Sequence, residues 1–364
     1  QGFPIEIYNV LGAGDAFMSG FLRGWLMGET HQTSATWANA CGAFAVSRLL
    51  CAPEYPTWTE LTHFLERGSK ERALRKDATL NHIHWATTRR GNWPTLMALA
   101  IDHRSQLEQM CGGATDRIGP FKALAVQAAL RVADGRPGYG MLLDDKYGRE
   151  ALFAAGRRDD FWIGKPLELP GSRPLQFEFS PDVGARLVEW PVTHCAKVLC
   201  FYHPDDPAEL RAQQIETLRA AYDAARRVGR EILIEIICSK AGAIDERTTA
   251  RALQQLYDAG LKPDWWKLEP QGSAAAWREV DAVIASNDAL CRGVVMLGLD
   301  APMETLRASF AAAKASATVR GFAVGRTIFA DAAKAWFAGQ MTDEEAIADM
   351  ASRFSALCGV WEGE

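Results

Sequence analysis

With 364 residues, 48% of them hydrophobic, the chain can bury a large core and has room for one barrel plus an appendage, or for two domains. A net charge of −5 leaves no basic footprint for nucleic acid. No apolar run reaches about 18 residues, and no charged-then-apolar leader opens the sequence, so neither a membrane span nor secretion is expected. Eight cysteines stand at 41, 51, 111, 195, 200, 238, 291 and 358 without a C-x-x-C pair, which points away from a zinc knuckle or a disulfide framework and towards reduced thiols in the cytoplasm.

A strand-like stretch over 5–10 leads into Leu11-Gly12-Ala13-Gly14-Asp15. Two glycines permit a tight turn into a helix whose first N–H groups form a seat for phosphate oxygens. Asp15 then stands at the helix start, where a carboxylate either caps the helix or accepts a proton from a hydroxyl that attacks a phosphoryl group. Helices are predicted over 14–27, 33–50 and 57–67, with small residues at 38–48 allowing close approach. This segment resembles the C-terminal end of the ribokinase-like (PfkB) α/β sugar kinases, most closely the 5-dehydro-2-deoxygluconokinases of myo-inositol breakdown, through its G-A-G-D motif, the helix ending in Ser47-Arg48 and the Cys51-Ala52-Pro53 element. The resemblance implies an anion hole at Gly12, Ala13 and Gly14, Asp15 as base, and ATP with Mg²⁺ as the needs of a complete kinase domain. Residues 1–68 are a helical remnant too short to enclose ATP and a sugar, so kinase activity is not expected from this portion alone.

A charged connector is predicted over 69–84, with no chemistry assigned to it. His82 and His84 bracket Ile83, which suggests an extended arm with both rings on one side; without a third ligand they are read as ordinary surface residues. From 85 onward apolar strands recur at 96–101, 140–143, either 161–163 or 175–179, 196–202, 232–237, 265–268, 294–297 and 321–324, alternating with helical patterns such as 208–228, 246–259 and 303–315. Eight strands so spaced predict an α/β fold of the (β/α)8 TIM-barrel type over 85–364, whose active groups gather at the carboxyl ends of the strands. The third strand is the ambiguous one, because Pro166, Pro170 and Pro174 break its neighbourhood.

The stretch Trp265-Trp266-Lys267-Leu268-Glu269-Pro270 sets a lysine inside an apolar strand. Burying an ammonium is costly unless it is paired or neutral, and a neutral buried amine is a usable nucleophile, so Lys267 is the candidate Schiff-base former. The plainer alternative is a lysine that snorkels to solvent or pairs with Glu269. Strand parity puts Lys197, Leu199 and Phe201 on one face of the fourth strand, Leu233, Glu235 and Ile237 on one face of the fifth, and Trp265, Lys267 and Glu269 on one face of the sixth. Asp102, followed by His103 and Arg104, ends the first strand. Three adjoining strands could thus aim two lysines and a glutamate into one interior, as a catalytic constellation or as a buried ion cluster. The last strands run into Gly298-Leu299-Asp300 and Gly325-Arg326-Thr327, a pattern suited to gripping phosphate, although Arg326 could instead serve a surface salt bridge.

Together, Ala98 to Arg104, Lys197-Val198-Leu199, Glu235, Trp266 to Pro270 and Gly321 to Arg326 resemble the class I tagatose-bisphosphate aldolases, and more directly the aldolase-like domain (DUF2090) found fused to the inositol-pathway kinase. The resemblance implies a metal-free Schiff-base aldolase. In it Lys267 is the nucleophile, Glu235 shuttles protons, Lys197 and Asp102 orient hydroxyls, and Arg104, Gly298, Gly325 and Arg326 bind phosphate or substrate. His103 stands where those aldolases usually carry glutamine, which suggests a different substrate tail. By pathway the substrate is 6-phospho-5-dehydro-2-deoxygluconate, cleaved to dihydroxyacetone phosphate and malonate semialdehyde. A homo-oligomer is compatible with this reading. Two competing readings are a protein whose only chemistry is the kinase reaction, with the barrel a regulatory or assembly domain, and a catalytically inert barrel that binds a sugar phosphate.

Overall fold

A computed structural model describes residues 2–363, and the chain forms two compact units that meet at Arg90 and Gly91. Among the described residues the first contains four α-helices, α1 (Ala13–Leu26), α2 (His31–Ser47), α3 (Trp58–Arg67) and α4 (Ala78–Thr88). Their starts follow from capping: Thr30 accepts from the Thr33 N–H at 3.1 Å, and Asp77 accepts from the Thr79 and Leu80 N–H groups at 2.9 and 3.0 Å. Helices α1 and α2 approach so closely that a β-carbon on Gly20 would sit 2.8 Å from the Trp37 carbonyl oxygen. A small core of Phe44, Leu61, Phe64, Leu74 and Leu80 closes the unit.

Three expectations for this region change. Residues 5–10 form no strand, since the unit contains no sheet among the described residues for them to join; instead Tyr8 and Asn9 donate to the Val46 carbonyl at the end of α2. The stretch 69–84 is more than a surface connector, because Leu74, Leu80 and Ile83 are buried. His82 and His84 lie on α4, not on an extended arm, and His84 Nδ1 is 2.8 Å from the fully buried Glu60, which also pairs with Arg48.

The second unit is a closed barrel of eight parallel strands in sequential order. Strand β1 (Leu96–Ala100) is followed by α5 (Ser105–Met110) and α6 (Ile118–Ala133), β2 (Tyr139–Leu142) by α7 (Arg149–Ala155), and β3 (Trp162–Pro166) by α8 (Val183–Val188). Then come β4 (His194–Cys200) with α9 (Ala208–Arg227), β5 (Ile232–Ile236) with α10 (Thr248–Asp258), and β6 (Trp265–Leu268) with α11 (Ala274–Asn287). The circuit closes with β7 (Gly293–Leu297), α12 (Met303–Ala313), β8 (Val319–Val324), α13 (Arg326–Phe337) and α14 (Asp343–Glu362). The third strand is therefore the earlier of the two alternatives, and it tolerates Pro166 because that residue is its last.

The barrel interior is layered. Leu96, Ala98, Trp162, Leu233, Trp265, Val295 and Ala323 fill its lower part with apolar side chains. Two residues further along several of these strands, the inward positions turn polar. Outside, α14 lies against the barrel wall through Phe354, which meets the rings of Tyr139 and Phe322 edge-on.

Candidate active site

The register pairs Glu235 on β5 with Lys267 on β6, and Lys197 follows Cys195 on the inward face of β4. The three side chains accordingly meet above the apolar layer. Lys267 Nζ lies 3.0 Å from Glu235 Oε1, and the other Glu235 oxygen lies 2.9 Å from Lys197 Nζ. Lys197 also donates to Asp102 Oδ2 at 3.1 Å and to Glu168 Oε1 at 2.9 Å. All five groups are at least nine-tenths buried, and all five border a cavity of about 290 Å³ at the carboxyl ends of the strands.

The two lysines differ in what surrounds them. Lys197 faces three carboxylates within 3.1 Å, donating hydrogen bonds to Asp102 and Glu168 and forming an ion pair with Glu235. These contacts give Lys197 a part in holding the three carboxylates in place. Lys267 has one carboxylate beside it and donors left for the cavity. It neither snorkels nor pairs with Glu269. That residue, expected on the inward face, instead accepts the Cys238 and Ser239 N–H groups at 2.8 and 3.0 Å and fixes the turn after β5.

Burial by itself would push the Asp102 and Glu235 carboxyls up, but Lys197 and Lys267 overcome it, and both groups titrate below the usual carboxylate range. Burial would likewise lower the Lys197 pKa, yet Asp102, Glu168 and Glu235 hold it well above that of an ordinary lysine. The Lys197 contact to Glu235 Oε2 is an ion pair set off the hydrogen-bond direction, so this buried oxygen keeps acceptor capacity. His103 stands at the end of β1 with its ring against Phe329. Burial, seconded by Lys267 and Arg326 and opposed by Asp102, lowers its pKa to about 4, so the ring is neutral.

The far wall of the cavity is built by the β7 and β8 ends. Gly298, Gly325 and Arg326 all border it. A β-carbon on Gly325 would stand 2.4 Å from the Ala100 carbonyl oxygen, so only glycine lets this backbone pass so near β1 as it enters α13. Leu299 and Asp300 both adopt left-handed backbone, with φ of 49° and 65°, an uncommon cost for two successive residues without glycine. The Asp300 carboxylate meets Arg326 Nη1 at 2.9 Å, so the guanidinium is salt-bridged and at the cavity at once.

Arg104 departs from its expected role. It is buried, donates to the Asp102 and Glu168 carbonyl oxygens at 2.9 Å each, and lies 3.5 Å from the Glu168 carboxylate and 3.4 Å from that of Glu178. Its guanidinium is a brace for the carboxylate cluster. Two charged cavity residues escaped the sequence reading. Glu168 follows β3 with the parity of Trp162 and Gly164, a signal hidden while the place of that strand was open. Lys240 sits in the loop after β5 and carries no motif. In the first unit, Gly12 is left-handed with φ of 77°, Ala13 and Gly14 open α1, and the exposed Asp15 sits in its first turn. Tyr55 anchors this turn by donating to the Gly12 carbonyl at 2.7 Å.

Comparisons with known proteins divide the chain near residue 59, within the first compact unit. The pfkB family of carbohydrate kinases matches residues 1–58. An ATP-dependent ribose-1-phosphate kinase from Halopiger xanaduensis is 40% identical over 47 residues, which are 13% of this chain and only 16% of that kinase. Among solved structures, a fructose-bisphosphate aldolase from Plasmodium falciparum superposes with a TM-score of 0.55 at 12% identity, over 77% of this chain and 94% of its own. A Corynebacterium glutamicum protein gives 0.50 at 17% identity, over 83% and 98%. At such identities the two structures speak for the barrel fold alone. The first 58 residues are thus similar to part of the pfkB kinases, and the family described as uncharacterized proteins conserved in bacteria, DUF2090, matches residues 60–364, well over half of the sequence, so the chain belongs to the DUF2090 family.

Proposed function

We propose that the barrel is a class I, Schiff-base aldolase acting on a phosphorylated keto sugar acid, with 6-phospho-5-dehydro-2-deoxygluconate as the substrate. One observation carries this reading: of two lysines in one carboxylate cluster, Lys197 is ringed by three carboxylates within 3.1 Å while Lys267 faces the cavity with a single carboxylate at 3.0 Å. The contrast is what a nucleophilic amine and its electrostatic support require. The cluster also opens onto a cavity, which a purely structural buried ion network has no need to do.

In this mechanism Glu235 takes a proton from Lys267, and the free amine adds to the C5 ketone. Glu235 returns the proton as water leaves, and an iminium results. Asp102, held by Lys197, orients the substrate hydroxyls. Glu235 then accepts the C3 hydroxyl proton while the C3–C4 bond breaks and its electron pair moves into the iminium. Malonate semialdehyde departs. Protonation of the enamine at C4 and hydrolysis release dihydroxyacetone phosphate and restore Lys267. Arg326, with the Gly298 and Gly325 backbone, receives the phosphate at the start of α13.

The same reading makes the N-terminal fragment the end of a 5-dehydro-2-deoxygluconokinase domain. There Gly12, Ala13 and Gly14 form the anion hole, Asp15 is the base, and the complete domain uses ATP with Mg²⁺. Borohydride reduction in the presence of dihydroxyacetone phosphate tests the barrel chemistry. The expected product is a covalent adduct on Lys267; a folded, ligand-binding protein without one would refute the Schiff base.

A further inference from the structure

We propose that Lys240 is a second anion-binding group of the same cavity and receives the carboxylate at the substrate end remote from the phosphate. This rests on the sugar-acid reading above and specifies how that acid is recognised. Five cationic side chains border the cavity: Arg104, Lys197, Lys240, Lys267 and Arg326. Four of them face a carboxylate of the protein, at 3.5 Å for Arg104 and Glu168, 2.9 Å for Lys197 and Glu235, 3.0 Å for Lys267 and Glu235, and 2.9 Å for Arg326 and Asp300. Lys240, exposed at the rim, has no ion-pair partner among the described residues.

Its backbone is nonetheless fixed. Glu269, 2% exposed, accepts the Cys238 and Ser239 N–H groups, and the Ala241 and Gly242 N–H groups both donate to the Cys238 carbonyl, at 2.8 and 3.0 Å. His203 Nε2 meets the Ala243 carbonyl at 2.8 Å, directly after this turn. A buried carboxylate and a histidine thus hold a turn whose one cation is left uncommitted. In the closed ring the β5 loop stands three strands from the β8 loop, with β6 and its Lys267 between them. A ligand spanning the cavity through the Lys267 amine therefore has Arg326 at one end and Lys240 at the other.

The two ends differ in chemistry. The β8 end combines a guanidinium, two glycine turns and the start of the 12-residue α13, a set matched to a dianionic phosphate. The β5 end presents one ammonium, a point charge matched to a monoanion. In the proposed cleavage the carboxylate leaves with the aldehyde fragment, so Lys240 would hold the whole substrate and the first product to depart, and would not touch dihydroxyacetone phosphate.

The test uses ligands without a ketone, which cannot form an imine. Calorimetric affinities of the full chain are compared for 6-phosphogluconate, glucitol 6-phosphate and glucitol 1,6-bisphosphate. Wild type should bind 6-phosphogluconate about tenfold more tightly than glucitol 6-phosphate, the worth of one charge-assisted contact. Lys240→Ala should erase that difference without changing the glucitol 6-phosphate affinity, and Lys240→Arg should keep it. Failure of wild type to discriminate, or equal weakening of both ligands in Lys240→Ala, overturns the proposal. So does tightest binding of the bisphosphate together with its selective loss in Lys240→Ala, which would make the distal anion a phosphate. Borohydride trapping with dihydroxyacetone phosphate on the same preparations separates the two ideas: its absence beside intact discrimination removes the Schiff base alone, and its presence beside lost discrimination removes Lys240 alone.

Discussion

The two units use the same local device to different ends. In each, a glycine turn feeds a helix start beside a charged residue: Gly12 into α1 with Asp15, and Gly325 into α13 with Arg326. In the fragment Asp15 is exposed, and α1 also shows Trp25 and Leu26 at 62% and 75% exposure. In the barrel seven other strands supply the opposite walls, and Asp102, Glu168, Lys197, Glu235 and Lys267 are each nine-tenths buried or more. A helix start offers free N–H groups in both places, but enclosure is what raises electrostatic interactions to catalytic strength.

The sharpest way to break this contrast is to remove the enclosed amine. Lys267→Ala should lower aldol cleavage by roughly 10⁴-fold or more and abolish borohydride trapping, with little change in fold, since it deletes the covalent step. Next in size is Glu168→Ala. It leaves Lys197 and Arg104 short of a buried counter-charge and should cost about 3–5 kcal/mol in denaturant unfolding, with Glu168→Gln milder because the hydrogen bonds survive in part. Retained stability in Glu168→Ala would mean that the cluster does not depend on this third carboxylate.

A smaller effect concerns acid. His103 titrates near pH 4 when folded and near 6.5 when unfolded, so between these values the unfolded chain binds the extra proton and stability falls as pH falls. His194, lowered likewise to about 4, adds to the same slope. His103→Gln should remove one proton from it, up to about 1.4 kcal/mol per pH unit, while the slope above pH 7 stays unchanged. An unaltered slope would mean that the imidazole is not neutral. The buried carboxylates act in the same direction at lower pH: with depressed folded pKa values, Asp102 and Glu235 stabilise the fold above the unfolded carboxylate range and lose this as acid protonates them. Lys197, whose pKa is raised, contributes fully below the ordinary lysine range and loses its contribution only as base deprotonates it. The smallest expectation falls on the other unit. Trp25→Ser should alter unfolding by no more than about 0.5 kcal/mol, because the indole is already mostly in water.

Much of this was legible in the residues. Recurring apolar runs gave seven strands without ambiguity, and strand parity put Lys197, Glu235 and Lys267 on inward faces, because a strand has only two faces and one of them is the barrel interior. The third strand stayed ambiguous among its prolines, and Glu168 was lost with it. Residues 5–10 read as a strand on local pattern, yet a strand exists only where a neighbour accepts its hydrogen bonds.

The sequence by itself determined the (β/α)8 barrel, the pfkB-like start and the inward faces of Lys197, Glu235 and Lys267. Only the tertiary structure decided how the charges are shared: that Lys197 faces three carboxylates and Lys267 one, that Arg104 braces carboxylates, that Glu269 pins a turn, and that Lys240 has no ion-pair partner among the described residues. Parity is a property of one strand, set by local backbone geometry. The partnering of a buried charge depends on which side chains from other strands come within about 3 Å of it, and no spacing along a single chain encodes that.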